Sequence, residues 1–199
     1  MSITVVCTLR PQPEHAGAIV QQAIAHLSGH GIDGRRSARL YQPLDDRTSL
    51  LYVAEWDSRE AFEAYRQTAQ MPGSPEQYRE LPVCRVYRRL ALFERMLAPV
   101  RHACAIVVDG TPATHAACQG LALAYHRASL HGQSDLVLLT IHETTDERPG
   151  LLVLWGWGSA LGHEPLLPDS ARQLIERFRA TGATIEEMVG RALVDAADT

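Results

Sequence analysis

Aromatic and protic side chains recur around one tryptophan in the first half of the chain. Tyr52 and Trp56 lie in a strand-like run, so alternation puts both on one strand face together with Ala54. Aromatic rings can shape an apolar pocket, and tyrosine hydroxyls can donate or relay a proton. The candidate pocket residues are Trp56, Tyr52, Tyr65, Phe62, Tyr41 and Arg39. Tyr41 and Arg39 belong to this set only if their strand presents the same face. Plain core packing of the rings and a solvated or interface position for Arg39 stay open.

Other residue spacings that could indicate a metal or catalytic site give weaker predictions. His26 and His30 are four residues apart near the end of a predicted helix, a spacing that can hold a metal ion. No third ligand is apparent, and their position beside Gly29 and Gly31 favours capping of the negative helix end. The chain has no glycine-rich phosphate loop and no G-x-S-x-G nucleophile elbow. We assign no catalytic residue and predict neither a metal site nor a cofactor.

Composition narrows the class of protein. The chain has 199 residues, of which 46% are hydrophobic, and a formal net charge of −4. This charge argues against a general nucleic-acid binder, which needs a basic face. No apolar run is long enough to span a membrane, and the amino terminus does not resemble an export signal. The four cysteines have no C-x-x-C pair, so we expect reduced, buried thiols and a cytoplasmic location.

The elements that must position the candidate residues can be read from periodicity. Alternation and β-branched residues predict strands, recurrence at helical spacing predicts helices, and glycine and proline mark the ends. Asp57 or Ser58 can cap the second helix, whose apolar stripe includes Phe62 and Tyr65. The predicted order is strand 3–9, helix 14–27, strand 35–42, strand 49–56, a second helix whose stripe runs from Ala61 to Ala69, a helical turn within 74–81 and strand 83–93.

The chain also repeats itself at an offset of 101 residues without a gap. Leu50 and Leu51 fall on Leu151 and Leu152, and Trp56 falls on Trp157. The second half then reads as strand 103–108, helix 112–129, strands 136–143 and 151–157, a helix within 169–180 and strand 184–194. For this last segment a helix stays open, because Glu186, Glu187 and Met188 also suit one. We predict a half at 1–97, a linker at 98–101 and a diverged half at 102–199. Each half has the order β-α-β-β-α-β. Because each antiparallel sheet leaves one face uncovered, two ferredoxin-like halves forming one intramolecular, pseudo-dimeric α+β barrel are expected.

The run from Leu50 to Tyr65, LLYVAEWDSREAFEAY, resembles the third strand and second helix of antibiotic biosynthesis monooxygenase domains, of the dimeric α+β barrel superfamily. The resemblance covers most of residues 1–97. It implies oxygen chemistry without flavin or metal on a small aromatic, phenolic or quinol-like substrate, with dioxygen as the second partner. Trp56 matches the pocket tryptophan of that family. Haem-degrading relatives would place asparagine on the first strand and histidine on or after the second helix; this half has neither residue at those places.

The second half exchanges the polar aromatics. By the offset, Tyr41 becomes His142 and Phe62 becomes His163, so the halves are not expected to be equivalent. Second-half pocket candidates are Trp157, Trp155, His142 and His163. A non-catalytic ligand-binding or structural barrel is the alternative function, and haem or tetrapyrrole binding through His142 or His163 is a third. A monomer is sufficient as a pseudo-dimer, and a homodimer stays open.

Overall fold

The computed structural model describes residues 2–28, 32–94, 100–129, 136–145, 149–157 and 169–197. Each half of the chain folds as β-α-β-β-α-β, as expected, and the eight strands close into an α+β barrel. The hydrogen-bonded strand order is β1-β3-β2-β8-β5-β7-β6-β4. No helix in these residues is long and apolar enough to cross a membrane.

The first six elements lie close to the positions that periodicity predicts. They are β1 (Ile3–Pro11), α1 (Pro13–Ser28), β2 (Arg35–Pro43), β3 (Leu50–Trp56), α2 (Arg59–Thr68) and β4 (Tyr78–Glu94). A short 3₁₀ turn, Pro75–Gln77, precedes β4. Ser58 caps α2, because its side chain accepts a hydrogen bond from the Ala61 amide at 3.2 Å. Strand β4 begins five residues earlier than residue 83, where the prediction starts it.

The second set of elements repeats this order. They are β5 (His102–Asp109), α3 (Pro112–Ser129), β6 (Leu136–Thr144), β7 (Gly150–Trp157), α4 (Asp169–Ala180) and β8 (Thr184–Ala197). The chain divides into two compact units, Met1–Val86 with Gly190–Thr199, and Tyr87–Val189. Strands β4 and β8 therefore contribute residues to both units. The predicted halves 1–97 and 102–199, with their linker, stay a prediction.

Ladder registers show how far the 101-residue offset holds. Leu40 is opposite Tyr52 in the β2–β3 ladder, and at the same offset Ile141 is opposite Val153 in the β6–β7 ladder. In contrast, Cys7 is opposite Tyr52, while Ile106 is opposite Val153, an offset of 99. The β2–β3 and β6–β7 hairpins therefore agree in register, whereas β1 and β5 differ from each other by two residues. Helix α4 begins at Asp169, so the counterparts of Phe62 and Tyr65 by offset precede it.

Each unit has its own apolar core between helices and one sheet face. In the first unit, Leu40, Ala54 and Trp56 point toward the helices and pack with Ile19 and Phe62. We call this the helix-side face. In the second unit, the corresponding face carries Leu139, Ile141, Val153, Trp155 and Trp157, packed against α3 and α4. Alternation then places the intervening strand residues on the opposite face.

The prediction of four reduced cysteines is wrong for two of them. Cys7 of β1 and Cys84 of β4 form a disulfide across 77 residues of sequence. The two residues are far apart in the chain but lie on neighbouring strands, which no C-x-x-C spacing signals. Cys104 and Cys118 are buried free thiols, as expected. The cysteine pattern therefore no longer supports a cytoplasmic location, which stays a prediction.

Candidate functional site

A pocket of about 340 Å³ lies in the first unit between the helix-side face and the helices α1 and α2. This volume is in the range of small-molecule sites. Most of the wall is apolar, with polar groups converging from α1, α2 and β3. The lining residues are Cys7, Leu9, Ala23, His26, Leu27, Leu40, Tyr52, Phe62, Tyr65, Arg66, Ala69, Gln70, Met71, Pro72, Pro82 and Cys84.

His26 and Tyr65 form a hydrogen-bonded pair in this wall. The Nε2 atom of His26 meets the hydroxyl of Tyr65, and the two ring centroids are 5.8 Å apart. Burial lowers the pKa of His26 below its ordinary value, and the Arg35 charge lowers it further. Burial also raises the pKa of Tyr65, against the opposing influence of Arg35. At neutral pH the pair is therefore a neutral imidazole beside a neutral phenol.

Tyr52 places a second phenol on the pocket wall. Its hydroxyl oxygen is shielded from solvent and makes no hydrogen bond of good geometry with the described residues. Burial raises the pKa of Tyr52, the neighbouring Tyr65 raises it further, and Arg35 opposes both. Arg35 acts on this phenol through its charge and through a side-chain hydrogen bond of weaker geometry, and the hydroxyl proton is left to donate to a ligand oxygen.

Arg35 supplies a buried positive charge behind these groups. Its exposed fraction is 5%, and its Nη2 atom donates to the Leu27 carbonyl at 3.4 Å. Strict alternation would put Arg35 on the face of Arg39. A bulge between Arg35 and Ser37 instead pairs it with Trp56, on the helix-side face.

Trp56, the residue that the family resemblance singled out, supports the pocket from behind. It is fully buried and is not among the lining residues. Its ring centroid lies 4.9 Å from that of Tyr65 and 5.6 Å from that of Phe62, both of which do line the pocket. The indole Nε1 has no hydrogen-bond partner among the described residues. Trp56 therefore positions two lining rings.

Tyr41 and Arg39 do not lie on the face that carries Tyr52, which was the condition for including them in the site. Leu40 lies opposite Tyr52 in the ladder and lines the pocket with it. The residues on either side of Leu40 must then point to the other face of β2. The structure therefore separates Tyr41 and Arg39 from Tyr52, Phe62 and Tyr65.

The second-half candidates do not converge on one face. Trp155 and Trp157 are buried in the core of the second unit, and Trp155 meets Tyr125 edge-on at 5.9 Å. His142 is 1% exposed on the opposite strand face, so its ring offers a haem iron little access. Burial lowers the pKa of His142 to about 3, with a further contribution from the Arg89 charge. His163 lies outside the described residues.

Sequence reasoning missed His26 and Arg35 as members of this site. His26 follows Ala23 by three residues, so its place beside the buried stripe of α1 was readable from helical spacing. Arg35 had no such signal, because nothing in the sequence marks the bulge. The paired histidine considered with His26 as a metal ligand, His30, lies outside the described residues. In the described part of the chain, no group of three or more metal-binding side chains converges.

Comparison with known proteins shows a family match for part of the chain and a fold shared over nearly all of it. Residues 2–72 match the model of the antibiotic biosynthesis monooxygenase family. No curated protein sequence matches the chain.

Three solved structures resemble nearly the whole chain. An anthrone oxidase-like protein has 13% identity and a TM-score of 0.75, covering 99% of this chain and 93% of its own. A candidate monooxygenase from Lactobacillus acidophilus NCFM has 8% identity and a TM-score of 0.67, and the match covers 99% of this chain and 96% of that protein. One from Fusobacterium nucleatum has 10% identity and a TM-score of 0.70, covering 98% and 94%. The resemblance to antibiotic biosynthesis monooxygenases is thus confirmed for residues 2–72, and the chain has the fold of monooxygenase-like proteins.

Proposed function

We propose that the first unit is a cofactor-independent monooxygenase for a small phenolic or quinol-like aromatic substrate. The observation that carries this proposal is the His26–Tyr65 pair, which lies with Tyr52 on the wall of an otherwise apolar pocket. The family match over residues 2–72 and the fold shared with an anthrone oxidase-like protein support the same reaction class. The pocket volume fits a small aromatic molecule.

The first step is removal of a proton from the substrate. A neutral imidazole is the form of histidine that accepts a proton, and the lowered pKa of His26 favours it at pH 7. The Tyr65 hydroxyl, bonded to His26, can relay the proton from the substrate to the ring. The anion left behind is stabilised by the Tyr52 hydroxyl as donor and by the buried charge of Arg35.

The electron-rich anion can then reduce dioxygen itself. One electron passes from the substrate to oxygen, and the resulting substrate radical and superoxide combine to form a carbon–oxygen bond. For a methylene substrate such as an anthrone, the peroxide loses water and leaves a carbonyl group. The sum is CH₂ + O₂ → C=O + H₂O. All electrons come from the substrate, so the proposed reaction is balanced without an external reductant.

Oxygen uptake tests this proposal. With anthrone and a panel of hydroquinones, and no added flavin or metal, the protein should consume oxygen and form the corresponding carbonyl product. Tyr52→Phe keeps the ring but removes the donor, so the rate should fall about 100-fold. Tyr125→Phe, whose ring packs against the core of the second unit, should retain the rate. No uptake across the panel by a folded protein that still binds the aromatics would favour the non-catalytic binding alternative.

A further inference from the structure

The Cys7–Cys84 disulfide forms part of the pocket wall. Both cysteines line the pocket, and Cys7 is the residue opposite Tyr52 in the β1–β3 ladder. The disulfide therefore adjoins the strand position that carries the buried phenol. It joins β1 to β4, the neighbouring strand in the barrel order.

Strands β4 and β1 are also hydrogen-bonded neighbours in the barrel, and three further contacts join them near the start of β4. The Gln12 amide donates to the Gln77 carbonyl at 2.8 Å, and Arg79 Nε donates to the Pro11 carbonyl at 3.0 Å. An exposed ion pair, Arg10–Glu80, follows at 2.7 Å. Opening the disulfide would thus leave the beginning of β4 attached. The effect should be concentrated in the pocket wall around Pro82 and Cys84, without global unfolding.

The two cysteine residues differ in exposure. Cys84 is exposed, whereas Cys7 is 7% exposed. A thiolate in solution can therefore approach the Cys84 sulfur more easily. The free thiols of the second unit are poor competitors, because Cys104 and Cys118 are both fully buried. Burial also raises the pKa of Cys104 well above its ordinary value.

We propose that Cys7–Cys84 is a thiol–disulfide exchange site that controls the ligand affinity of this pocket. A dithiol reductant attacks the Cys84 sulfur as a thiolate, the disulfide breaks, and Cys7 leaves as a thiolate that takes up a proton. The second thiol of the reductant then attacks the mixed disulfide. This releases the Cys84 thiol and leaves the reductant as a cyclic disulfide. Two electrons and two protons pass from the reductant to the protein.

Reduction weakens ligand binding in this proposal. The bond holds two wall residues within covalent distance, and after reduction the sulfur atoms must separate to non-bonded contact. A wall that is less pre-organised binds a rigid aromatic ligand less tightly. Only the choice of an aromatic ligand rests on the proposed function.

Titration with 1-naphthol tests the proposal on the full-length chain. The air-oxidised protein should contain two free thiols after denaturation. Reduction with dithiothreitol under native conditions and anaerobic removal of the reductant should give four, one of them rapidly reactive in the folded protein. The Kd for 1-naphthol should be about fivefold higher in the reduced protein. The Cys7→Ser/Cys84→Ser variant should bind like the reduced protein and ignore dithiothreitol, whereas Cys104→Ala should respond like the wild type.

Four results would decide against the proposal or separate it from the proposed function. Four free thiols in the oxidised protein, a disulfide that resists dithiothreitol in the folded state, or a Kd that is unchanged by confirmed reduction would each overturn it. Absence of 1-naphthol binding in both states would contradict the aromatic-binding pocket. Amide hydrogen exchange then decides: faster exchange in β4 after reduction supports the exchange site, and unchanged exchange refutes it.

Discussion

A neutral imidazole accepts a proton that an imidazolium cannot, and the surroundings of His26 favour the neutral form. Because burial and Arg35 lower its pKa below 6.5, the ring stays neutral at pH 7 and becomes protonated only as the pH falls through that lowered value. The rate of oxygen uptake should therefore show an acid limb with a midpoint below pH 6.5. His26→Gln should abolish this limb and lower the plateau rate about 100-fold. An identical acid limb in the variant would assign the titration to another group.

Trp56 acts through the rings that it contacts rather than through the pocket surface. Trp56→Phe keeps part of the apolar volume but removes the support 4.9 Å from Tyr65, so it should cost about 1–2 kcal/mol of stability and also reduce activity. Trp157→Phe, at the corresponding position of the second unit, should cost similar stability and leave activity intact. Rates measured well below both melting temperatures separate the two effects. If Trp157→Phe alone lost activity, the working site would lie in the second half and not in the first.

At the scale of elements, the start of α2 is fixed by its contact with the turn before β2. Gly34 has a φ of +76°, its carbonyl accepts from the Asp57 amide at 2.8 Å, and a Cβ there would lie 2.6 Å from the Ala61 Cβ. This contact sets where α2 carries Phe62 and Tyr65. Gly182 has a similar φ of +81° but open space around it, so it is a matched control.

Urea denaturation should separate the backbone cost from the steric cost at Gly34. Gly182→Ala should lose about 1–2 kcal/mol, the cost of a left-handed conformation. Gly34→Ala should lose about 1–3 kcal/mol more, because α2 must move. Adding Ala61→Gly should recover part of that difference. Equal losses at Gly34 and Gly182 would show that the turn does not constrain the helix.

At the scale of the whole molecule, a buried histidine in the second unit couples folding to pH. The pKa of His142 is about 3 in the folded chain and about 6.5 in an unfolded one, so the unfolded state binds the extra proton between these values. The free energy of unfolding should therefore fall as the pH drops from about 6.5 toward 3, by at most about 1.4 kcal/mol per pH unit from this group. Above pH 7 the full contribution is present.

The His142→Gln variant, which lacks the imidazole ring, isolates the contribution of His142 to the pH dependence of stability. The stability difference between the wild type and His142→Gln should shrink steadily as the pH falls from 7 to 4, since contributions shared by both proteins cancel. Val153→Ala removes buried volume and no titrating group, so its stability difference should be the same at every pH. A constant difference for His142→Gln as well would mean that the ring is solvated or already charged in the folded state.

The sequence by itself determined the order of elements, the faces of β3 and the apolar stripe of α2. These features depend on local periodicity, which is why Tyr52, Phe62 and Tyr65 were predicted together and do line one pocket. Three decisive features depend instead on how strands align across the sheet. A bulge turns Arg35 toward the helices, a two-residue displacement breaks the repeat at β5, and strand adjacency joins Cys7 to Cys84. Strand register is set by partners that are distant in sequence. For this reason only the tertiary structure decided that Arg35 lies behind the pocket and that the Cys7–Cys84 disulfide forms part of its wall.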